Sequence, residues 1–258
     1  MPTEKRIIDY DTIFMLLNFV VIKLDESDDE QQIFDTINSL GVKLTSGELL
    51  KNYLFLAGQL DDYNGLWKPV FEKDNETISF WNSQMANGRN LKKTVDIFLF
   101  YFLQIKAQDP SLKIDKKQAR RMDNLFVNLK EIVEANHLDK DIFALEISEY
   151  AKLFMKCFRR DDEDGEFDVP SSFGLERISF IINNLDSNTM IPYVLYIMNS
   201  VSSQEERNKI FGFLETYVIR RLIVDSNNNN YSDLFSENLI GQRINSYEAL
   251  RKYILSKD

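Results

Sequence analysis

Side chains capable of covalent or acid–base chemistry are scarce in this chain. Among 258 residues there is one histidine, His137, and one cysteine, Cys157. A single imidazole cannot both activate water and help hold a metal, and no Ser–His–Asp relay can be argued around it. His137 stands in Asn136-His137-Leu138-Asp139 and reads as a residue at a helix end. Cys157, between Phe154, Met155 and Phe158, reads as a core thiol. The acidic stretch 159–168 fails as a calcium loop. With Gly165 at its sixth position, Arg160 falls at the first, where a carboxylate is required. It reads as a hydrated loop. Lys113, Lys116, Lys117, Arg120 and Arg121 form a basic cluster, but a net charge of −10 opposes a phosphate backbone. A solvated helix start is expected there, and direct DNA binding is not. Arg220 and Arg221 sit in an apolar pattern with Phe213, Leu214, Val218 and Leu222. Neighbours on a helix are about 100° apart, so only one of the two can face the core fully. Structural ion pairs are expected for them, with a phosphate contact as the alternative.

The elements that must carry these residues are helices. Hydrophobic residues make up 44% and aromatic residues 12%, with 19 phenylalanines, which argues for a packed core. Nine glycines and five prolines are few against usual usage of about 7% and about 5%, which favours long helices. The expectation is an all-α or mostly α fold of multi-helix bundles with one short N-terminal strand. That strand is 19–25, apolar on both faces, between a helix near 10–18 and a helical hairpin. Ile33, Phe34, Ile37 and Leu40 share one stripe, and Gly41 suits the helix stop. Thr45 and Glu48 have capping-box spacing for the next helix. Further helices are expected at 63–71 (broken by Pro69), 77–85, 91–107, 115–135, 139–158, 171–185, 189–200, 203–225, 231–240 and 246–256. The charged stretch near 159–170 is the expected boundary between a region 61–160 and a region 165–258, after a first region 1–60. One cysteine forms no internal disulfide, which fits a cytoplasmic location. No apolar run approaches the roughly 20 residues of a membrane span. The strand has no evident partner strand downstream, so pairing with a second copy, a homodimer, is expected.

The string from Phe34 to Phe55 carries a resemblance. Phe34, Ile37, Asn38, Gly41 and Leu44, followed by Leu49, Lys51, Asn52, Leu54 and Phe55, resemble the Phe-x-x-Ile-Asn-x-x-Gly-x-x-Leu and Leu-x-Lys-Asn-x-Leu-Phe signature of the GmrSD-type modification-dependent restriction family. Residues 19–25 look like that family's last sheet strand, and Tyr217, Arg220 and Arg221 are similar to its Tyr-x-x-Arg-Arg helix. The resemblance spans roughly residues 10–254. It implies a parent enzyme with a ParB-like nucleotide-hydrolysing N-terminal region and a His-Asn-His nuclease region, acting on modified DNA in phage defence. It places Asn38, Gly41, Lys51 and Asn52 near the nucleotide. A lysine and two amides offer donors and acceptors to phosphate or ribose. The alternative is that the asparagines tie helix ends together while Lys51 is solvated.

The family's Asp-Gly-Gln-Gln-Arg string is missing, and residues 29–32 lack both its glycine and its arginine. The expectation is therefore the helical connecting segment of such an enzyme. By itself it should be inactive, with no catalytic residue, cofactor or metal of its own. The parent family uses a nucleoside triphosphate and a divalent metal. The expected partners are the parent's N- and C-terminal regions. The rival reading is a stand-alone acidic helical module for protein–protein interaction.

Overall fold

In the computed structural model, helix α1 (Ser46–Leu54) begins where Thr45 and Glu48 cap each other. The Thr45 hydroxyl accepts from the Glu48 amide at 3.1 Å, and the Glu48 carboxylate accepts from the Thr45 amide at 2.7 Å. A third amide at this end, that of Gly47, donates to Asp96 at 3.1 Å. These bonds satisfy donors that the first helical turn leaves without partners. Burial pushes the Asp96 carboxyl up from its ordinary value, against the lowering effect of the Gly47 amide. The structure describes residues 44–55, 59–87, 90–158, 172–224 and 230–256. The expected strand 19–25, the dimer proposed through it, the helix of Ile33–Leu40 and the loop 159–168 lie outside these residues. Leu44–Asp258 form one compact unit.

After α1 the chain is helical through α2 (Leu60–Asp62), a π-helical turn (Tyr63–Trp67) and α3 (Lys68–Phe71). Pro69 does not break this segment as its ring chemistry suggested. It has no amide hydrogen for the Gly65 carbonyl, and the wider π turn immediately before it accommodates the loss. Helix α4 (Asn75–Asn82) starts on the Asp74 carboxylate, which accepts from the Thr77 amide at 2.8 Å.

A hairpin that the helical pattern concealed follows. Strands β1 (Gln84–Asn87) and β2 (Asn90–Lys93) pair antiparallel, Gln84 opposite Lys93 and Asn87 opposite Asn90. Helix α4 therefore ends at Asn82 and α5 (Thr94–Lys106) starts three residues later than expected. Ser83 and Thr94 close the hairpin base, with the Thr94 amide on the Ser83 carbonyl at 2.8 Å and their hydroxyls 2.9 Å apart.

Helix α5 is buried on every face. Its expected stripe of Val95, Phe98, Leu99, Phe102 and Leu103 is joined in the core by Ile97, Phe100, Tyr101 and Ile105. An apolar circumference belongs to a central helix. α5 packs against α1, α4, the hairpin, α6 (Leu125–Ala135), α7 (Lys140–Phe158), α9 (Ile191–Ser200) and a second π-helical segment (Asp233–Leu239). The long helix expected over 115–135 forms only from Leu125. Ahead of it, Asp109 accepts from the Ser111 amide and Asp115 from the amides of Lys117 and Gln118, so turns take the backbone donors a helix would need.

Helices α8 (Leu175–Asn184), α10 (Gln204–Ile223) and α11 (Tyr247–Leu255) complete the described unit. α7 packs against both α8 and α9, so one hydrophobic core runs from Leu50 to Ile254 across the 159–170 stretch. Its densest part is aromatic. Trp67 stacks on Phe71 with centroids 4.2 Å apart, Phe71 meets Trp81 at 4.8 Å, and Trp81 and Phe154 both meet Phe98 within 5.5 Å. The fold is mostly α, with a short two-stranded sheet.

Candidate functional site

Of the residues that the resemblance places near a nucleotide, Asn38 and Gly41 lie outside the described residues. Lys51 and Asn52 lie on the outer half of α1, whose inner half seats Leu50, Tyr53 and Leu54 in the core. Asn52 is half-buried. Lys51 is tied: its ammonium sits 2.9 Å from Glu72, the residue that ends α3. The Tyr63 hydroxyl donates to the other oxygen of the same carboxylate at 2.6 Å. Burial pushes the Glu72 carboxyl up, but the hydrogen bonds from Tyr63, Lys51 and Trp67 and the Lys51 charge together bring it below its ordinary value. The same contact, with burial as the larger cause, raises the Tyr63 phenol to about 12. Three donors converge on one ionised carboxylate.

Beside this cluster lies a cleft of about 290 Å³, lined by Thr45, Glu48, Lys51, Glu72, Asn82 and the edges of Trp67, Phe71 and Trp81. That volume is at the lower end of the roughly 300–1,000 Å³ common for small-molecule sites. A phosphate reaching Lys51 here has to compete with Glu72. Tyr63 and Glu72 were not visible as site residues in the sequence, because Glu72 is 21 positions from Lys51 and follows no local spacing rule.

Arg220 and Arg221 occupy the last turn of α10, where positive charge suits the exposed carbonyl end of a helix. Arg220 is exposed. Arg221 lies against two aromatic faces, 5.6 Å from the Tyr217 centroid and 5.7 Å from that of Tyr231. A desolvated ion pair on the same helix involves a residue that sequence reading passed over. Glu215, 5% exposed, receives two bonds from Arg177 of α8, at 2.7 and 2.6 Å.

His137 is exposed just past the end of α6, at φ 51°. Cys157 is buried, and burial pushes its thiol up to about 12, so it is held as an unreactive core group. The basic cluster lies in the turns of 107–124, where Arg120 pairs with Asp233 and Glu237. Among the described residues no group of three or more His, Cys, Asp or Glu is placed to hold a metal ion, and no helix is long and apolar enough to cross a membrane. No known family matches this chain, and no curated protein and no solved structure is significantly similar to it.

Proposed function

We propose that this chain is the helical connecting region of a GmrSD-type restriction enzyme that acts on modified DNA, and that it has no nuclease or nucleotidase activity by itself. The observation that supports this reading most is the behaviour of α1. The Leu-x-Lys-Asn-x-Leu part of the string folds as the end of a helix whose start is closed by the reciprocal Thr45–Glu48 cap, and Phe55 follows its last residue. Of its motif residues Leu54 is fully buried, beside the equally buried Leu50, while Leu49 is half-buried and Lys51 and Asn52 remain on the outer half of the helix. A helix so anchored transmits the position of whatever adjoins its outer surface to the aromatic core. In the parent enzyme that neighbour is the nucleotide-hydrolysing region, with its nucleoside triphosphate and divalent metal.

The test is hydrolysis of nucleoside triphosphates by the purified chain with magnesium, together with cleavage of modified and unmodified DNA. No turnover is expected in either assay, and an Asp-Gly-Gln-Gln-Arg string is expected in frame upstream of Met1 in the source genome. Turnover by the chain, or an upstream frame without that string, sinks the reading. The alternative, an acidic interaction module, draws on one feature: Leu222, Ile223 and Val224 are consecutive and exposed, the last two at 75% and 68%.

A further inference from the structure

Helix α7 turns one side of its first turns to solvent, and that side joins apolar to acidic groups. Ile142 and Leu145, three residues apart and so neighbours on the helix surface, are 68% and 43% exposed. Every other large apolar side chain of α7 is buried or packed against the core, so this pair serves no packing within the described unit. Asp141 lies four residues before Leu145, and the exposed Glu149 four residues after it, which puts both carboxylates on the same face.

The start of the helix adds further negative charge. Asp139, exposed, accepts from the amides of Asp141 and Ile142 at 2.9 and 3.0 Å. Asp141 is half-buried, and one of its carboxylate oxygens is shielded from solvent without a hydrogen-bond partner among the described residues. Ser148 donates to the Leu66 carbonyl at 2.5 Å, which ties the first π-helical turn to α7. Asp62 stands immediately before that turn. Burial, and then the charges of Asp62 and Asp139, push the Asp141 carboxyl up from its ordinary value. Lys140, the cation next in sequence, is committed elsewhere. It donates to the Tyr53 carbonyl at 2.9 Å and lies 4.0 Å from the centre of the Tyr53 ring. Among the described residues none of Asp62, Asp139, Asp141 and Glu149 has an ion-pair partner.

We propose that this face of α7 docks a protein segment in which lysine or arginine stands beside apolar side chains, a cationic amphipathic helix. Its apolar residues cover Ile142 and Leu145, and its cations meet Asp62, Asp141 and Glu149. Charge argues against the other occupants. Two copies meeting through this face set carboxylate against carboxylate, in a chain of net charge −10. An anionic lipid surface is repelled for the same reason. The inference does not depend on the restriction reading.

Fluorescence anisotropy of three labelled helical peptides, titrated with the whole chain, tests this. One peptide is built of leucine and lysine, one of serine and lysine, and one of leucine and glutamate. The leucine–lysine peptide is expected to bind saturably, the serine–lysine peptide about tenfold more weakly, and the leucine–glutamate peptide not measurably. The double variants Ile142→Ser with Leu145→Ser, and Asp62→Asn with Asp141→Asn, should each weaken the first peptide about tenfold. The first of these variants changes exposed side chains alone and should melt with the parent chain. Glu176→Gln with Glu248→Gln removes the same charge from exposed positions on α8 and α11 and should leave binding unchanged. Absence of saturable binding overturns the proposal, as does equal binding of the serine–lysine peptide. An equal loss in the Glu176 and Glu248 variant reduces the effect to general attraction by an acidic chain and also overturns it. So does a dimer, seen by sedimentation of the chain alone, that the Ile142 and Leu145 variant dissolves, because it gives the face to a second copy.

Discussion

Glu72 joins α1 to the end of α3 through the ammonium of Lys51, and it holds Tyr63 in the same grip. Both charged side chains remain about three-tenths exposed, so solvent screens their attraction. Glu72→Gln should cost about 1 kcal/mol of stability at neutral pH. The pH dependence follows from the direction of the shift. A carboxyl whose folded value lies below its unfolded value, about 4.3, stabilises the fold above that pH and loses its contribution as pH falls through the folded value. Melting curves of the two proteins should therefore differ most above about pH 5 and converge in more acidic buffer. A gap that persists unchanged at acid pH would refute the role given to the ionised carboxylate. Half of this cluster was legible beforehand. Lys51 stands out on an amphipathic helix, whereas the identity of its carboxylate depends on where the fold brings the end of α3, 21 positions away in sequence.

Three helices of the described unit end in one way, and none uses glycine to do it. His137, Asp186 and Arg243 all have positive φ, between 48° and 54°, and follow α6, α8 and the second π-helical segment. At each, the next amide reaches back to a carbonyl five residues earlier: Leu138 to Val133, Ser187 to Ile182, and Ile244 to Leu239. This hydrogen-bond pattern favours glycine at the left-handed position, because a Cβ is strained there. His137→Gly should stabilise the protein by about 0.5–1 kcal/mol, read as a higher denaturant midpoint at unchanged slope. A lower midpoint would show that the imidazole does more than end a helix. The helices themselves were readable from apolar period and from caps such as Thr45, Asp139 and Ser246. The hairpin was not. Gln84–Lys93 carries no alternating apolar pattern, and only the Asn87-Gly88 turn signal pointed to it. The stretch 107–124 misled in the opposite sense, since its spacing suits a helix while Asp109 and Asp115 favour turns.

Phe154 occupies the middle of the aromatic assembly, fully buried and in contact with Phe80, Trp81, Phe98 and Phe158. It belongs to α7, the helix that touches elements before and after the 159–170 stretch. Phe154→Ala should cost about 3–5 kcal/mol. Because the core is continuous, the loss should appear as one cooperative transition shifted to lower temperature, with helical circular dichroism and aromatic ellipticity melting together. Two separated transitions would show that residues on either side of the stretch fold independently. Arg177 and Glu215, which clamp α8 to α10, carry a different consequence. Losing either partner strands the other charge, most severely Glu215, whereas replacing both by apolar residues of similar size is nearly neutral. Descendants of this protein therefore face a fitness valley between two acceptable states. The two positions are expected to change together through evolution or not at all.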